Sequence, residues 1–155
     1  MTSGTPQRIL FVCLGNICRS PSAEGVVRAL AAQTGAGLET DSCGTGSWHI
    51  GKPPYAPARA AAAARGYDIS DLRARKLTAA DFGRFDLILA MDRENLADIE
   101  AQRPAGNDTP VRLFLDYAPG GPDEVPDPYF TRDFDGALDL IEAASHGLLA
   151  ALRKA

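Results

Sequence analysis

The sequence predicts a single α/β domain in which helices cover both faces of a four-stranded parallel sheet. Short apolar runs alternate along the chain with longer segments of helical periodicity, a pattern that produces parallel strands joined by right-handed crossovers. The chain has 155 residues, of which 45% are hydrophobic and 23% charged, and these values fit one globular domain. Ligands of such sheets bind beyond the carboxyl ends of the strands.

Four apolar runs are interpreted as strands. They cover residues 9–12, 38–43, 85–91 and 111–115. The first run is short, β-branched and aromatic, and the third is apolar enough to be buried on both faces. Cys13 follows the first run, Gly44 the second and Asp92 the third, so we expect them to face one crevice.

Helices are predicted where apolar residues recur at helical spacing. The expected ranges are 22–33, 58–65, 92–102 and 134–152, with a short helical turn at 79–82. Gly35 and Gly66 end the first two helices, and Asp92 caps the third. The segments 44–57 and 118–134 are rich in glycine and proline and are interpreted as loops. We expect the domain to span 8–155, with 1–7 as a flexible N-terminal extension.

The first strand leads into a loop, residues 13–20, with the sequence Cys-Leu-Gly-Asn-Ile-Cys-Arg-Ser. Gly15 and Asn16 tolerate positive φ, so the loop can curl tightly. Ser20 is a suitable N-cap for the following helix, and Pro21 fits its first turn. The backbone N–H groups of such a loop, together with the helix dipole, bind anions.

An anion in this loop would lie beside a cysteine and an arginine. Arg19 supplies a planar fork for two phosphate oxygens, and the same positive field favours a thiolate at Cys13. We therefore expect Cys13 to be a nucleophile at neutral pH. The phosphate-binding set would be Leu14, Gly15, Asn16, Ile17, Cys18, Arg19 and Ser20. The alternative is that Cys13 is an inert buried cysteine at the end of a strand.

Charge and cysteine content narrow the possible functions. A net charge of −4 argues against general nucleic-acid binding. Three cysteines without paired zinc-ligand spacing indicate a reducing compartment rather than a disulfide scaffold. No apolar run approaches about 18 residues, and residues 1–8 lack the apolar core of a signal peptide. We expect a cytoplasmic monomer that binds neither nucleic acid nor membrane.

Residues 12–24, from Val12 to Glu24, resemble the signature of the low-molecular-weight protein tyrosine phosphatases. Later segments agree with that family in the same order: Ser42-Cys43-Gly44-Thr45, Trp48-His49, Ala74-Arg75, Phe85-Asp86, Ala90-Met91-Asp92 and Asp127-Pro128-Tyr129. The similarity covers about residues 8–152. It implies hydrolysis of tyrosine-phosphorylated proteins through a phosphocysteine, with inorganic phosphate as product and no metal or other cofactor. Some members of the family are exported without a signal peptide, so the cytoplasm is a default expectation.

The resemblance assigns the chemistry to three residues. Cys13 would attack phosphorus, while Arg19 and the loop amides hold the equatorial oxygens. Asp127 would protonate the departing tyrosine oxygen and then accept a proton from the water that hydrolyses the phosphocysteine. Pro128 favours an extended backbone at Asp127. Taken alone, the Asp127-Pro128 pair favours a plain turn, whereas its presence alongside Cys13 and Arg19 favours the catalytic acid.

The resemblance also suggests supporting roles near the nucleophile. Ser20 would donate its hydroxyl to the Cys13 sulfur, in addition to capping the helix or instead of it. Asn16 would shape the loop, held partly through Ser42, unless it is an ordinary turn residue.

A second supporting group lies further along the chain. Asp92 and Arg59 match a family pair that braces the site; the alternatives are a helix cap and a solvated helix charge. Vertebrate members of the family have a histidine where Arg65 stands. Because Arg65 cannot accept a hydrogen bond, that part of the bracing network should differ here.

Four side chains are expected at the mouth of the site: Trp48, His49, Tyr129 and Phe130. Such walls would hold a flat ring and make a deep slot, in which a phosphoserine would leave its phosphorus short of the thiol. Trp48 could instead cover the core. His49 is expected at the rim rather than as a catalyst or metal ligand, because no second histidine is near it in the sequence.

Three other functions compete with this interpretation. Arsenate reductases that use thioredoxin need further cysteines after the nucleophile, and none follows Cys43. Arginine phosphatases of the family typically have threonine where Ile17 stands, so Ile17 favours phosphotyrosine. A non-catalytic phosphotyrosine-binding module would lack Cys13, Arg19 or Asp127, and all three are present.

Cys18 is a candidate for redox control. It lies five residues after Cys13, and the tight loop would let it form a disulfide with the oxidised nucleophile. The alternative is that Cys18 is a small buried hydrophobe.

Overall fold

Four parallel strands form the sheet at the centre of the fold. In the computed structural model, which describes residues 6–154, they are β1 (Arg8–Cys13), β2 (Glu39–Gly44), β3 (Leu87–Ala90) and β4 (Val111–Leu113). The order is β2-β1-β3-β4, and every neighbouring pair is parallel. The predicted sheet is confirmed, and β1 has a partner on each side.

Six α-helices are found within residues 6–154. They are α1 (Arg19–Thr34), α2 (Ala56–Ala64), α3 (Asp81–Arg84), α4 (Arg93–Ala101), α5 (Pro128–Thr131) and α6 (Phe134–Lys154). Helices α1, α2 and α6 contribute to the core on one face of the sheet, and α3 and α4 contribute to the core on the other. Helices therefore cover both faces, as predicted.

Strand β1 is buried on both sides, which explains its uninterrupted apolar sequence. Its side chains alternate between the two cores, so that Phe11 and Cys13 face α1 and α6, whereas Leu10 and Val12 face α3 and α4. Phe11 packs edge-to-face on Phe114 with ring centroids 5.3 Å apart. This alternation places the Cys13 side chain on the face of the sheet that α1 covers.

The start of α1 differs from the prediction. The helix begins at Arg19 rather than at residue 22, and Cys18 occupies the N-cap position without a side-chain cap. The prediction that Ser20 caps this helix is wrong, because Ser20 lies inside the first turn. Ser22 instead donates its hydroxyl to the Cys18 carbonyl at 2.7 Å. The first turn buries polar side chains, so apolar periodicity could not reveal it.

Other boundaries shift for local reasons. Helix α2 begins at Ala56, inside the predicted loop 44–57, with Pro57 in its first turn. The predicted strand 111–115 divides into β4 and a 3₁₀ turn, Phe114–Tyr117. The predicted loop 118–134 contains α5.

The carboxyl ends of the strands meet at one edge of the sheet. Cys13 is in register with Gly44, and Val12 with Ala90, two residues before Asp92. Asp92 caps α4 as predicted, because its Oδ1 accepts the Asn95 N–H at 2.7 Å. The crevice expected from the sequence lies here.

Gln7, the last residue of the predicted N-terminal extension, forms two hydrogen bonds through its backbone. Its N–H donates to Asp86 Oδ2 at 3.0 Å, and its carbonyl accepts the Glu39 N–H at 2.8 Å. Residues 1–5 of the predicted flexible extension lie outside the described residues. None of the helices within residues 6–154 is long and apolar enough to cross a membrane.

Candidate active site

A pocket of ≈ 270 Å³ opens at the carboxyl end of β1. Its floor is the loop that joins β1 to α1, and its walls come from the segment after β2, from Asp127 and from α5. The lining residues are Cys13, Leu14, Gly15, Ile17, Cys18, Arg19, Trp48, His49, Asp127, Tyr129 and Phe130. The structure thus brings together the predicted nucleophile, arginine, acid and mouth residues, which lie up to 117 positions apart in the sequence.

Cys13 is the last residue of β1, and only 3% of its surface is exposed. Its Sγ accepts the Asn16 N–H at 3.3 Å and lies 3.1 Å from Ser20 Oγ. Hydrogen-bond donors at these distances stabilise a thiolate. The sulfur is therefore held at the floor of the pocket among groups that favour its charged form.

The loop after Cys13 curls at a single residue. Asn16 has φ 57°, whereas Gly15 does not use positive φ. A Cβ at Gly15 would lie 3.1 Å from His49 Cδ2, so this glycine serves close packing instead. Among residues 6–154, no acceptor is found for the backbone N–H groups of Gly15, Ile17 and Cys18. These unpaired donors can bind the oxygens of an anion.

Arg19 is held from behind by two acceptors. Its Nη1 donates to Asp92 Oδ2 at 2.7 Å and to the Val125 carbonyl at 3.0 Å, and only 3% of the side chain is exposed. Burial opposes the charge, but Cys13, Asp92 and Asp127 together hold the pKa of Arg19 above its ordinary value. The guanidinium is therefore a fixed, permanent cation beside the sulfur.

Asp127 reaches the same cation from another loop. Its Oδ2 lies 3.5 Å from Arg19 Nη2, and 24% of its side chain is exposed. Its Oδ1 accepts the Tyr129 N–H at 3.1 Å, so Asp127 caps α5, with Pro128 as the first residue of that helix. Its backbone is extended, with φ −79° and ψ 109°, as expected before proline. A carboxyl group thus lines the pocket beside Arg19.

The bracing pair expected from Asp92 and Arg59 is not formed. Within the described residues, Asp92 is paired with Arg19, and Arg59 has no ion pair with it; the buried Nε of Arg59 has no hydrogen-bond partner. Arg65 ends α2 and forms salt bridges with three carboxylates of α6: Asp135, Asp139 and Glu142. Arg65 therefore joins two helices and takes no part in a network around the thiol.

The aromatic mouth is open to solvent. Trp48 is 68% exposed and Phe130 73%, so Trp48 does not cover the core. His49 also lines the pocket, and no group of three or more metal-binding side chains occurs within residues 6–154. The exposed rings are suited to contact a flat substrate group and the chain that carries it.

Sequence reasoning missed Tyr55, which links the two sides of the pocket. Its N–H donates to the Ile17 carbonyl at 2.8 Å, and its ring lies 5.2 Å from that of Tyr129. Arg132, with φ 65°, stacks on the Tyr55 ring and donates to its hydroxyl at 3.2 Å. These contacts join the floor loop to the loop that carries Asp127. No sequence signal marks them, because the partners lie about 75 positions apart.

Gly44 packs directly beneath the floor loop. A Cβ at this position would lie 2.6 Å from the Leu14 carbonyl oxygen and 3.2 Å from the Gly15 carbonyl carbon. We expect Gly44→Ala to displace the loop, weaken phosphate binding, and lower stability by about 1–3 kcal/mol, the usual cost of overpacking. Isothermal calorimetry with phosphate and thermal unfolding would measure both effects.

Gly83→Ala is the matched control for this change. Gly83 lies in α3, and a Cβ there would meet nothing within 4 Å. It should leave phosphate affinity unchanged. Equal phosphate affinity in Gly44→Ala and wild type would contradict the close packing described.

A thiol beneath unpaired backbone N–H groups, with an arginine at its side, is suited to transfer of a phosphoryl group to sulfur. The fold and the pocket therefore define a cysteine-dependent phosphatase. The sequence matches the family described as low molecular weight phosphotyrosine protein phosphatase over residues 8–155. The chain belongs to this family and is a protein-tyrosine-phosphatase.

Individual relatives agree with this assignment. YfkJ of Bacillus subtilis, a low molecular weight protein-tyrosine-phosphatase, is 39% identical over 149 residues, covering 94% of this chain and 96% of that protein. Its crystal structure superimposes with a TM-score of 0.92 at 38% identity, covering 99% of this chain and 98% of that chain. A low molecular weight protein-tyrosine-phosphatase of Streptomyces coelicolor is 44% identical over 155 residues, covering 95% and 94%. The crystal structure of a Drosophila arginine phosphatase has a TM-score of 0.87 at 30% identity, covering 92% and 96%.

Proposed function

We propose that this pocket hydrolyses phosphotyrosine in proteins in two steps, with a phosphocysteine between them. The observation that carries the proposal is the convergence of Cys13, Arg19 and Asp127 within one aromatic-walled pocket. In the first step, the thiolate forms a bond to phosphorus and the electron pair of the P–O bond goes to the tyrosine oxygen. Asp127 gives that oxygen a proton. Arg19 and the loop N–H groups stabilise the charge on the three equatorial oxygens.

The second step regenerates the enzyme. A water oxygen attacks phosphorus, its proton goes to Asp127, and the electron pair of the P–S bond returns to Cys13. The Ser20 hydroxyl, 3.1 Å from the sulfur, stabilises the departing thiolate. Inorganic phosphate then leaves the floor loop.

The shape of the pocket supports an aromatic phosphoester. The walls supplied by Trp48, Tyr129 and Phe130 fit a phenol ring placed between the floor loop and solvent. Ile17 lines the pocket where a polar side chain would be needed to orient attack on the P–N bond of phosphoarginine. The apolar side chain therefore favours phosphotyrosine.

Parallel turnover assays test this specificity. We expect rapid release of phosphate from a phosphotyrosine peptide, much slower release from matched phosphoserine and phosphoarginine peptides, and no thioredoxin-dependent reduction of arsenate. Ile17→Thr provides a matched variant, which should narrow the difference between phosphotyrosine and phosphoarginine. Faster turnover of phosphoarginine than phosphotyrosine by the wild-type protein would overturn the proposal.

We also propose a cytoplasmic monomer whose partner is a tyrosine-phosphorylated protein, without affinity for nucleic acid or membranes. The net charge of −4 supports the absence of nucleic-acid binding. All three cysteines are free and buried, which suits a reducing compartment.

The second cysteine of the floor loop supports redox protection of the nucleophile. Cys13 and Cys18 line the same pocket, whereas the Cys43 side chain lies on the opposite face of the sheet. Burial, followed by the charges of Cys13 and Asp127, raises the pKa of Cys18 to about 12. Cys18 is therefore a thiol before it reacts, and its proton leaves together with the hydroxyl group of the oxidised Cys13. The Cys18 sulfur can then attack the sulfenic sulfur, forming a disulfide and releasing water.

We expect peroxide to inactivate the protein and a dithiol to restore it. Cys18→Ser should keep most activity but recover poorly after peroxide, and bound phosphate should slow inactivation. Mass spectrometry of the oxidised protein should find a Cys13–Cys18 disulfide. A Cys13–Cys43 disulfide, or full recovery of Cys18→Ser, would refute this role.

A further inference from the structure

A hydrogen-bond chain runs from the nucleophile to a buried carboxyl group that has no part in the two steps above. Ser20 Oγ lies 3.1 Å from Cys13 Sγ and accepts from Asn16 Nδ2 at 2.8 Å. Asn16 Nδ2 also donates to Ser42 Oγ at 3.0 Å, and Ser42 Oγ donates to Glu24 Oε1 at 2.7 Å. Glu24 lies on α1 and is only 5% exposed. The hydrogen-bond chain therefore ends on a carboxylate shielded from solvent.

The direction of every proton in this chain follows from the available donors and acceptors. The Asn16 carbonyl oxygen accepts the Arg75 N–H at 3.0 Å, so both protons of its amide nitrogen point to the two serine hydroxyls. A hydroxyl has one proton. Ser42 gives its proton to Glu24 and so presents a lone pair to Asn16.

The other serine is left with a proton to donate. The Ser20 oxygen accepts from Asn16, and its proton can reach the Cys13 sulfur at 3.1 Å or the Cys43 carbonyl at 3.3 Å. A thiolate is the stronger acceptor of the two because it carries a charge. The orientation of the whole chain thus presents a donor to the sulfur.

We propose that Glu24 is a positioning residue for hydrolysis of the phosphocysteine, because its carboxylate is the final acceptor that keeps the Ser20 hydroxyl directed at the sulfur. The inference rests on the proposed function. In that step the P–S electron pair returns to Cys13, while the attacking water gives its proton to Asp127. A hydrogen bond from Ser20 stabilises the negative charge as it develops on sulfur.

The surroundings of Glu24 make its charge depend on pH near neutrality. Burial raises its pKa to about 7, against the hydrogen bond from Ser42, which lowers it; Asp41 on β2 and Asp71 in the segment after α2 also raise the pKa, and Arg28 on α1 lowers it. Arg28 is engaged with Asp71 at 3.1 Å. As pH rises through about 7, Glu24 loses its proton and becomes a full acceptor for Ser42.

Glu24→Met tests the positioning role, since it removes the acceptor and keeps the length of the side chain. Rapid-mixing kinetics with an aryl phosphate measure the two steps separately. We expect hydrolysis of the phosphocysteine to slow about three- to tenfold, the effect of one hydrogen bond, with formation of the phosphocysteine changed less than about twofold. Unchanged hydrolysis of the phosphocysteine would overturn the proposal.

A double-mutant cycle separates this role from general structural support. If Glu24 acts through Ser20, adding Glu24→Met to Ser20→Ala should slow the second step by less than about 1.5-fold further. Additive losses would contradict the proposal. The proposed function has its own test, because retention of turnover by Cys13→Ser would contradict the proposed function and not only the role of Glu24.

Glu24→Gln keeps the shape of the side chain and removes its charge. This variant tests the role of the carboxylate even if Glu24→Met does not fold. At pH 6 its second step should match that of wild type, and at pH 8 wild type should be about two- to fourfold faster. A constant ratio across this range would contradict the role of the carboxylate. Glu94→Gln, which neutralises an exposed glutamate on α4, should behave as wild type at both pH values.

Discussion

Cys13→Ser should abolish turnover of phosphotyrosine while phosphate still binds. A serine hydroxyl is not ionised at neutral pH, so it cannot attack phosphorus as the thiolate does. The anion site should persist, because Arg19 remains held by Asp92 and the Val125 carbonyl, and the loop N–H groups remain unpaired. Phosphate release from a phosphotyrosine peptide and phosphate affinity by calorimetry measure the two effects independently.

Cys43→Ala is the control for loss of a thiol near this edge of the sheet. Cys43 is also buried, but its side chain lies in the core on the opposite face. The activity of the folded fraction should stay close to wild type. Turnover by Cys13→Ser within a few fold of wild type would show that Cys13 is not the nucleophile.

Asp127→Asn should slow hydrolysis of phosphotyrosine by about 10²–10⁴-fold, the usual contribution of a general acid or base. The amide can still accept the Tyr129 N–H, so the cap of α5 and the position of the loop should be preserved. What is lost is the proton for the tyrosine oxygen. The deficit in the first step should therefore shrink for an aryl phosphate whose phenolate leaves without protonation.

Rapid-mixing measurements across aryl phosphates of increasing leaving-group acidity check this expectation. Asp123→Asn is the matched control, because Asp123 lies in the same segment and pairs with Arg93 away from the pocket. It should leave all rates near wild type. An equal loss for every leaving group in Asp127→Asn would mean that Asp127 only positions its loop.

The agreement between sequence and structure is best where residues are close together in the chain. The spacing from Cys13 to Arg19, after an apolar strand and before a helix, was enough to predict the curled loop that forms the floor of the pocket. Asn16 adopts the positive φ expected of it. The exception is Ser20, whose role as a cap was wrong because the helix begins one residue before it. Its hydroxyl lies by the sulfur instead.

Agreement is weaker for contacts between distant segments. Arg59 was expected to brace the site together with Asp92, yet Asp92 pairs with Arg19, because α4 directs its cap residue toward the floor loop. Tyr55 and Glu24 had no predicted role, although both contact the loop or its supports. The direction in which a helix or loop presents a side chain cannot be predicted until the packing partners of that helix or loop are known.

Local chemistry along the chain was therefore sufficient to predict the parallel sheet, the curled loop after β1 and the place of Cys13 at the start of that loop. These depend on backbone preferences and periodicity over a few residues, which any window of sequence contains. Only the tertiary structure shows three further features: Asp127 lies 3.5 Å from Arg19, Asp92 is the ion-pair partner of that arginine, and the hydrogen-bond chain from Cys13 ends at Glu24. Each requires side chains from separate elements to meet within a few ångströms, and helix packing on the sheet sets those distances.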